Sequence, residues 1–354
     1  MNLQAVLAEC ARLADGGGAG ALASVARRRG SLPMSATAKM LVTASGARVG
    51  TVGGGCLEAE ITERALEVIE RRMPAVSEHT LNAELAGDYG LTCGGTAVMF
   101  IEPVFTDPVL AAVYRECVAL LARGERATMA SGLEWSSSPE KALLSAGGAW
   151  IGSATPRLRA AIDAVRAGEE EQRFEGDIFA ERVAGAPRLI VFGGGHVGAR
   201  VAEAAAFAGW RVTVVDDRPD FADASRLPFA ERTVVCDFHD LPATLGADAD
   251  TYVVVATRGH QHDALIVEQL ARRDLRYLGM LGSRRKVALT WRLLVAAGVP
   301  TMRLEGVHAP IGLSIGADTP EEIAVSVVAE MIAVRRAGSR RRGGVGASAA
   351  TAEG

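Results

Sequence analysis

The segment from Arg188 to Arg218, RLIVFGGGHVGARVAEAAAFAGWRVTVVDDR, limits the possible folds more than any other part of the chain. An apolar run, Leu189 to Phe192, meets Gly193, Gly195 and Gly198 in G-x-G-x-x-G spacing. A helical stretch then ends at Gly209, and a second apolar run, Val212 to Val215, closes on Asp216. Strand, glycine turn, helix, strand and acid in that order predict a Rossmann unit. Gly193 would make the tight turn, Gly195 admit a phosphate and Gly198 let helix and strand approach, while Asp216 accepts from ribose hydroxyls. The acids Asp216 and Asp217 disfavour a 2′-phosphate there, and Arg218 beside them would partly compensate. The alternation continues with strands at Arg232 to Cys236, Tyr252 to Ala256 and Arg276 to Leu278, and helices at Ala264 to Arg273 and Lys286 to Ala297. A last helix starts at Thr319-Pro320-Glu321-Glu322, a capping box with proline at its first position, and runs to Arg336.

Ligands of open parallel sheets bind at the carboxyl ends of the strands. That edge collects His196 from the glycine turn, His260 and His262 after the fourth strand, and Ser283, Arg284, Arg285 and Lys286 after the fifth. Cations at the start of a helix oppose its dipole, so their placement suits a bound anion.

The N-terminal part reads differently. Short apolar runs, Lys39 to Ala44 and Ala47 to Val52, flank Ser45-Gly46 and predict a hairpin leading into Gly53-Gly54-Gly55-Cys56. Leu57, Ile61, Ala65, Leu66 and Ile69 recur at helical spacing, which puts Cys56 at or next to the helix N-cap, where free amides stabilise a thiolate and Glu58 and Glu60 oppose it. Cys93 is also flanked by glycines, in Leu91-Thr92-Cys93-Gly94-Gly95, before the apolar strand Ala97 to Ile101. Cys10, Cys117 and Cys236 sit among apolar neighbours and read as packing residues. Val109 to Ala122 reads as a helix, and Ala127 to Leu133, Ala149 to Ile151 and Ile178 to Val183 as strands. No internal repeat is read from the sequence. The expected class is therefore α/β: an N-terminal α+β domain over residues 1–185, a C-terminal Rossmann-like parallel-sheet domain over 187–336, and a disordered Gly/Ala/Ser/Arg tail over 337–354.

A net charge of -4 gives no basic field for nucleic acid, and no apolar run reaches the roughly 18 residues that span a bilayer. The expectation is a cytoplasmic protein with neither nucleic-acid nor membrane partner, and a homodimer as the default assembly. Five cysteines without a C-x-x-C pair argue against a disulfide framework or structural zinc.

Taken together, GTVGGGCLEAE, LTCGGTAVMFIEP, VFGGGHVG and YLGMLGSRRK followed by GLSIGADTPEEIAVSVVAEMI resemble the xanthine dehydrogenase accessory factor family, XdhC/CoxI, from about Val25 to Arg336. The resemblance implies a chaperone that binds molybdenum cofactor, as molybdopterin or its dinucleotide, during sulfuration and insertion. Its partners would be a cysteine desulfurase and the large subunit of a molybdenum hydroxylase. Cys56 would be a molybdenum ligand or, with Cys93, a sulfur relay, and Gly53, Gly54 and Gly55 would supply anion donors. The chain departs from the family at Gly30-Ser31-Leu32-Pro33-Met34, where Met34 replaces a basic residue, leaving Ser31 and Lys39 as phosphate-binding candidates. Two alternatives stand beside this reading. One is an NAD(P)-dependent oxidoreductase with His260 or His262 as proton donor; the other is a non-catalytic nucleotide-sensing assembly factor.

Overall fold

The computed structural model describes residues 3–30, 32, 34–81, 95–136, 138–168 and 170–337. The expected disordered tail therefore lies outside the described residues, apart from Ala337. The chain divides into two compact units, Met1–Gly185 and Ala186–Gly354.

The first unit runs α1 (Leu3–Arg12), a π-turn (Leu13–Gly17), β1 (Gly20–Gly30), β2 (Lys39–Thr43), β3 (Arg48–Thr51), α2 (Gly55–Arg71), β4 (Ala75–Leu81) and β5 (Gly95–Val104). It continues with α3 (Pro108–Ala122), β6 (Arg126–Gly132), β7 (Lys141–Ser145), β8 (Trp150–Gly152), α4 (Pro156–Ala167), β9 (Gln172–Glu175) and β10 (Ile178–Ala184). Two antiparallel five-stranded sheets result, with strand orders β3-β2-β1-β5-β4 and β8-β7-β6-β10-β9. These are one topology written twice. Contrary to the sequence reading, the unit is a structural duplication.

The correspondence extends to single residues. Val6 and Cys10 of α1 match Val113 and Cys117 of α3, and all four are buried in one core. Gly50 and Gly152 both adopt positive φ, and a methyl on either would strike the carbonyl oxygen of Lys39 or Lys141 respectively. The hairpin turns also match, with Gly46 N–H donating to Thr43 and Gly148 N–H to Ser145. Strand alternation builds the layers. In β1 and β2, Ala21, Ala23, Met40 and Val42 face Leu57 and Ile61 of α2, while Leu22 and Leu41 face the helices α1 and α3. The second sheet presents Met129, Leu143 and Val183 to the same pair and Ala130, Ala142 and Leu144 to α4. The layers are thus α2, sheet, α1 with α3, sheet, α4.

Lys39 was a phosphate-binding candidate; the structure corrects this. Its side chain is 2% exposed, and Nζ donates to Glu181 Oε1 at 2.6 Å and to Ser24 Oγ at 2.7 Å. The matching lysine, Lys141, donates to Glu102 Oε1 at 2.6 Å, and Glu102 also accepts from Ser131 and Tyr114. Each half supplies the lysine for the other half's glutamate. Buried charges persist only when paired and hydrogen-bonded, so the two reciprocal pairs tie the halves together in one register. Burial raises the Cys10 thiol pKa and pushes that of Cys117 up to about 12, which suits inert packing thiols.

The second unit holds β11 (Arg188–Phe192), α5 (His196–Phe207), β12 (Arg211–Asp216), β13 (Arg232–Val235), β14 (Tyr252–Val255), α6 (His260–Leu270), β15 (Tyr277–Met280), α7 (Arg284–Ala296), the short α8 (Thr301–Glu305) and α9 (Pro320–Ala337). Its parallel sheet has the order β13-β12-β11-β14-β15, so the strand order reverses between β11 and β14. Both faces are covered: Leu189 and Val191 pack toward α5 and α9, Ile190 and Phe192 toward α6 and α7. At α9 the Thr319 hydroxyl accepts from Glu322 N, and Glu322 Oε2 accepts from Thr319 N and Asp318 N.

Candidate functional site

In the first unit the candidate site is the turn from β3 into α2. Gly53, Gly54 and Gly55 have φ of 123°, 79° and 66°, a run that side chains with a Cβ rarely tolerate. The N-cap, Gly54, offers no side-chain cap, and Cys56 is the second residue of the helix. First-turn amides have no intrahelical acceptor and carry the positive end of the dipole. A methyl added at Gly54 or Gly55 would meet nothing within 4 Å, so space above the turn is open. Part of the anion-donor role expected of these glycines is, however, already occupied. Glu58 folds back, and its Oε1 accepts from Thr51 Oγ1 at 2.5 Å, Gly54 N at 3.1 Å and Val52 N at 3.2 Å. The Gly53 amide is turned to Thr51 Oγ1 at 3.3 Å. The carboxylate thus sits where an external anion would.

Burial raises the Glu58 pKa, but the Thr51 hydroxyl, the two amides and Arg48 outweigh it and leave the value lowered. A lowered carboxyl pKa contributes stability that is complete above the unfolded-state value and is lost as pH falls through the folded-state value. Glu58→Gln is accordingly expected to speed amide exchange at Gly54 by about tenfold, with the wild type approaching the variant only in acid; equal exchange at neutral pH would refute the contact.

The duplicate half shows what a closed version looks like. The turn from β8 into α4 carries Thr155 as N-cap, accepting from Leu158 N, with Pro156 at the first helical position. Counting from the N-caps, Arg157 stands where Cys56 stands, and it is held by Glu140 at 3.0 Å and by Asp177. One copy of the turn is capped by a threonine hydroxyl; the other has a glycine N-cap and takes its carboxylate from Glu58 four residues on.

In the second unit the glycine turn has the geometry its spacing predicts. Gly193 has φ 105°, a methyl at Gly198 would overlap the Gly193 carbonyl oxygen, and a methyl at Gly195 would meet nothing within 4 Å. His196 and His260 are exposed at the first positions of α5 and α6. Arg284 and Arg285 are exposed at the start of α7, with no side-chain ion pair among the described residues. Ser283 serves as the N-cap of α7, accepting from Lys286 N at 3.3 Å.

Asp216 requires a correction. It is 1% exposed, and both oxygens are engaged: Oδ2 by Gly194 N at 2.9 Å and Arg218 Nη2 at 3.1 Å, Oδ1 by Arg218 N at 3.0 Å and Nε at 2.9 Å. Burial raises its pKa, but Arg218 and the Gly194 amide override this and hold it below the ordinary range. Asp216 braces the glycine turn, and a ribose would have to displace Arg218 to reach it. Asp217 pairs with Arg258 at 2.7 Å.

Asp263 ends the loop after the fourth strand that the sequence marks as reactive, but the sequence alone gives it no role of its own. It is fully buried, accepts from Thr257 Oγ1 at 2.6 Å and pairs with Lys286 Nζ at 2.5 Å, linking the loop after β14 to α7. This neutralises one of the cations assigned to an anion. His262, one of the alternative proton donors, packs edge-on against Phe238 at 5.4 Å. Ser31 and Cys93 lie outside the described residues. Among the described residues, no group of three or more His, Cys, Asp or Glu stands together as a metal site, and no helix is long and apolar enough to cross a membrane.

Two sequence profiles match: one for the XdhC Rossmann domain over residues 189–331, one for the XdhC and CoxI family over residues 13–79. The chain belongs to the XdhC/CoxI family. It is similar to a Bacillus subtilis protein named as a probable subunit of xanthine dehydrogenase, with 29% identity over 317 residues, 89% of this chain and 93% of that one. It is also 26% identical over 331 residues to the uncharacterized protein YqeB of Escherichia coli, covering 93% of this chain but 46% of YqeB, so it spans less than half of that relative. A solved structure described as a xanthine dehydrogenase from Bacillus halodurans superposes with TM-score 0.76 at 27% identity, over 97% of both chains. Within this XdhC/CoxI chain the family profile takes in the glycine turn at Gly53 to Cys56, whereas the Thr155-capped turn before α4 falls outside both profiles.

Proposed function

We propose that this chain is an accessory factor for a molybdenum hydroxylase of the xanthine dehydrogenase type. It would bind molybdenum cofactor, as molybdopterin or its dinucleotide, while a cysteine desulfurase supplies sulfur, and then deliver it to the hydroxylase's large subunit. The observation that carries this reading is the asymmetry of the duplication: the turn holding Cys56 has a glycine N-cap, open space beside Gly54 and Gly55 and only the displaceable Glu58 carboxylate on its amides, whereas its counterpart is capped by Thr155, with Arg157 paired to Glu140. When bound, the cofactor would supply a phosphate and a thiophilic metal. The amides of the α2 first turn fit the former once Glu58 is displaced, and a thiol at that helix end fits the latter.

The chain's own residues have definable tasks. The glycine turn orients donors, Glu58 holds them in place until an anion displaces it, and Cys56 is the thiol within that turn. The dehydrogenase alternative is less well supported, because Arg218 holds Asp216 and His262 packs on Phe238.

Cys56→Ala is expected to reduce retained molybdenum and pterin, and the cyanide-labile sulfur of a co-produced hydroxylase, by about tenfold, with no change in unfolding midpoint. Metal analysis and pterin fluorescence on the purified protein give the first readout, cyanolysis of the hydroxylase the second. Unaltered cofactor content and sulfur would leave Cys56 with a packing role and remove the proposal.

A further inference from the structure

We propose a second anion site in the Rossmann unit, at the amino end of β15 and so at the sheet edge opposite the glycine turn. A cavity of about 260 Å³ lies between the end of α6, the start of β15 and α8, and it is lined by Arg273, Arg276, Arg303, Asp274 and His308 beside apolar residues that include Met302. Asp274 neutralises one guanidinium, accepting from Arg303 Nη1 at 2.9 Å. His308 stacks on Tyr277 at 4.5 Å and faces Glu330, which ties it to the fold.

The other two arginines are unmatched. Arg276 is half-buried, its Nε is shielded from solvent without a hydrogen-bond partner, and its guanidinium makes no ion pair among the described residues. Arg273 beside it is likewise unpaired among the described residues. A shielded N–H donor without an acceptor is unfavourable, and a charged one more so. The natural remedy is an oxyanion from solution.

The charge narrows its class. Three guanidinium groups against the Asp274 carboxylate leave two positive charges at the rim. A phosphomonoester dianion matches them, and guanidinium favours phosphate through paired N–H···O bonds. Met302, Leu270 and Leu278 then provide contact for a short apolar substituent. The site takes a small phosphorylated compound. It shares no residue with the Gly53–Cys56 turn of the first unit, which carries the proposed cofactor function, or with the Gly193 turn.

Titrating the full chain with inorganic phosphate and with phenyl phosphate, followed by ¹H–¹⁵N NMR of arginine Nε–H groups, tests the site. The Arg276 resonance should shift and saturate, with phenyl phosphate binding more tightly than inorganic phosphate. Arg276→Gln should weaken binding by about tenfold or more. Should that variant fail to fold, the exposed Arg273→Gln must weaken binding by severalfold in a protein with a wild-type spectrum. An unmoved Arg276 resonance, or unchanged affinity in the folded variant, would overturn the site. Phosphate bound with only glycine-turn signals moving would do the same.

Discussion

Lys39→Met is expected to destabilise the first unit by about 3–5 kcal/mol, the usual consequence of stranding one member of a buried ion pair. Glu181 would keep its place inside the core while losing the ammonium at 2.6 Å, and would have to be protonated or hydrated. The double variant Lys39→Met/Glu181→Leu separates pairing from packing. Replacing both charges by apolar groups of similar volume is often neutral, so most of the loss should be recovered. Denaturant unfolding of the three proteins provides the comparison. If the double variant is no more stable than the single one, Lys39 is held by something other than Glu181.

The second large effect concerns two glycines three positions apart. Gly198→Ala would push a methyl into the Gly193 carbonyl oxygen and should cost about 1–3 kcal/mol or more, because backbone cannot move aside as a flexible side chain can. Gly195→Ala has φ -72° and open space, so stability should stay within about 0.5 kcal/mol of wild type. Its methyl would nevertheless occupy the approach to the α5 amides, and affinity for any phosphate bound there should fall about tenfold or more. Thermal unfolding and calorimetric titration with nucleotides measure the pair. Equal stability of the two variants would contradict the described packing, and unchanged nucleotide binding by Gly195→Ala would place the ligand elsewhere.

The parallel sheet was legible because its signals are local. Gly193, Gly195 and Gly198 lie within six residues of one another, and the strands beside them are continuous apolar runs, as doubly covered strands must be. The N-terminal unit was legible only in part. The β2–β3 hairpin, the helix after Gly55 and the strand at Ala97 were readable from turn residues and periodicity. The strand β1 was not anticipated, because GALASVARRRG combines small residues with an arginine run and shows no clean alternation.

The duplication escaped for a different reason. Its halves share contacts more than letters: Cys10 and Cys117, or Lys39 and Lys141, become recognisable pairs only once the sheets are superposed. The role of Lys39 depends on a glutamate 142 positions away, beyond any local pattern. The same limit applies at the candidate sites. Spacing marked Asp216 as an acid at a strand end, but whether Arg218 occupies it depends on the loop conformation that follows.

The exchanged lysine–glutamate pairs also govern how the protein can be dissected. A cut in the loop between β5 and α3 would separate Lys39 from Glu181 and Glu102 from Lys141 in one stroke, leaving each piece with an interior cation and anion whose partners had gone elsewhere. The smallest excisable piece that keeps the Cys56 turn intact is therefore the whole stretch through Gly185, although the family profile for that region stops at residue 79.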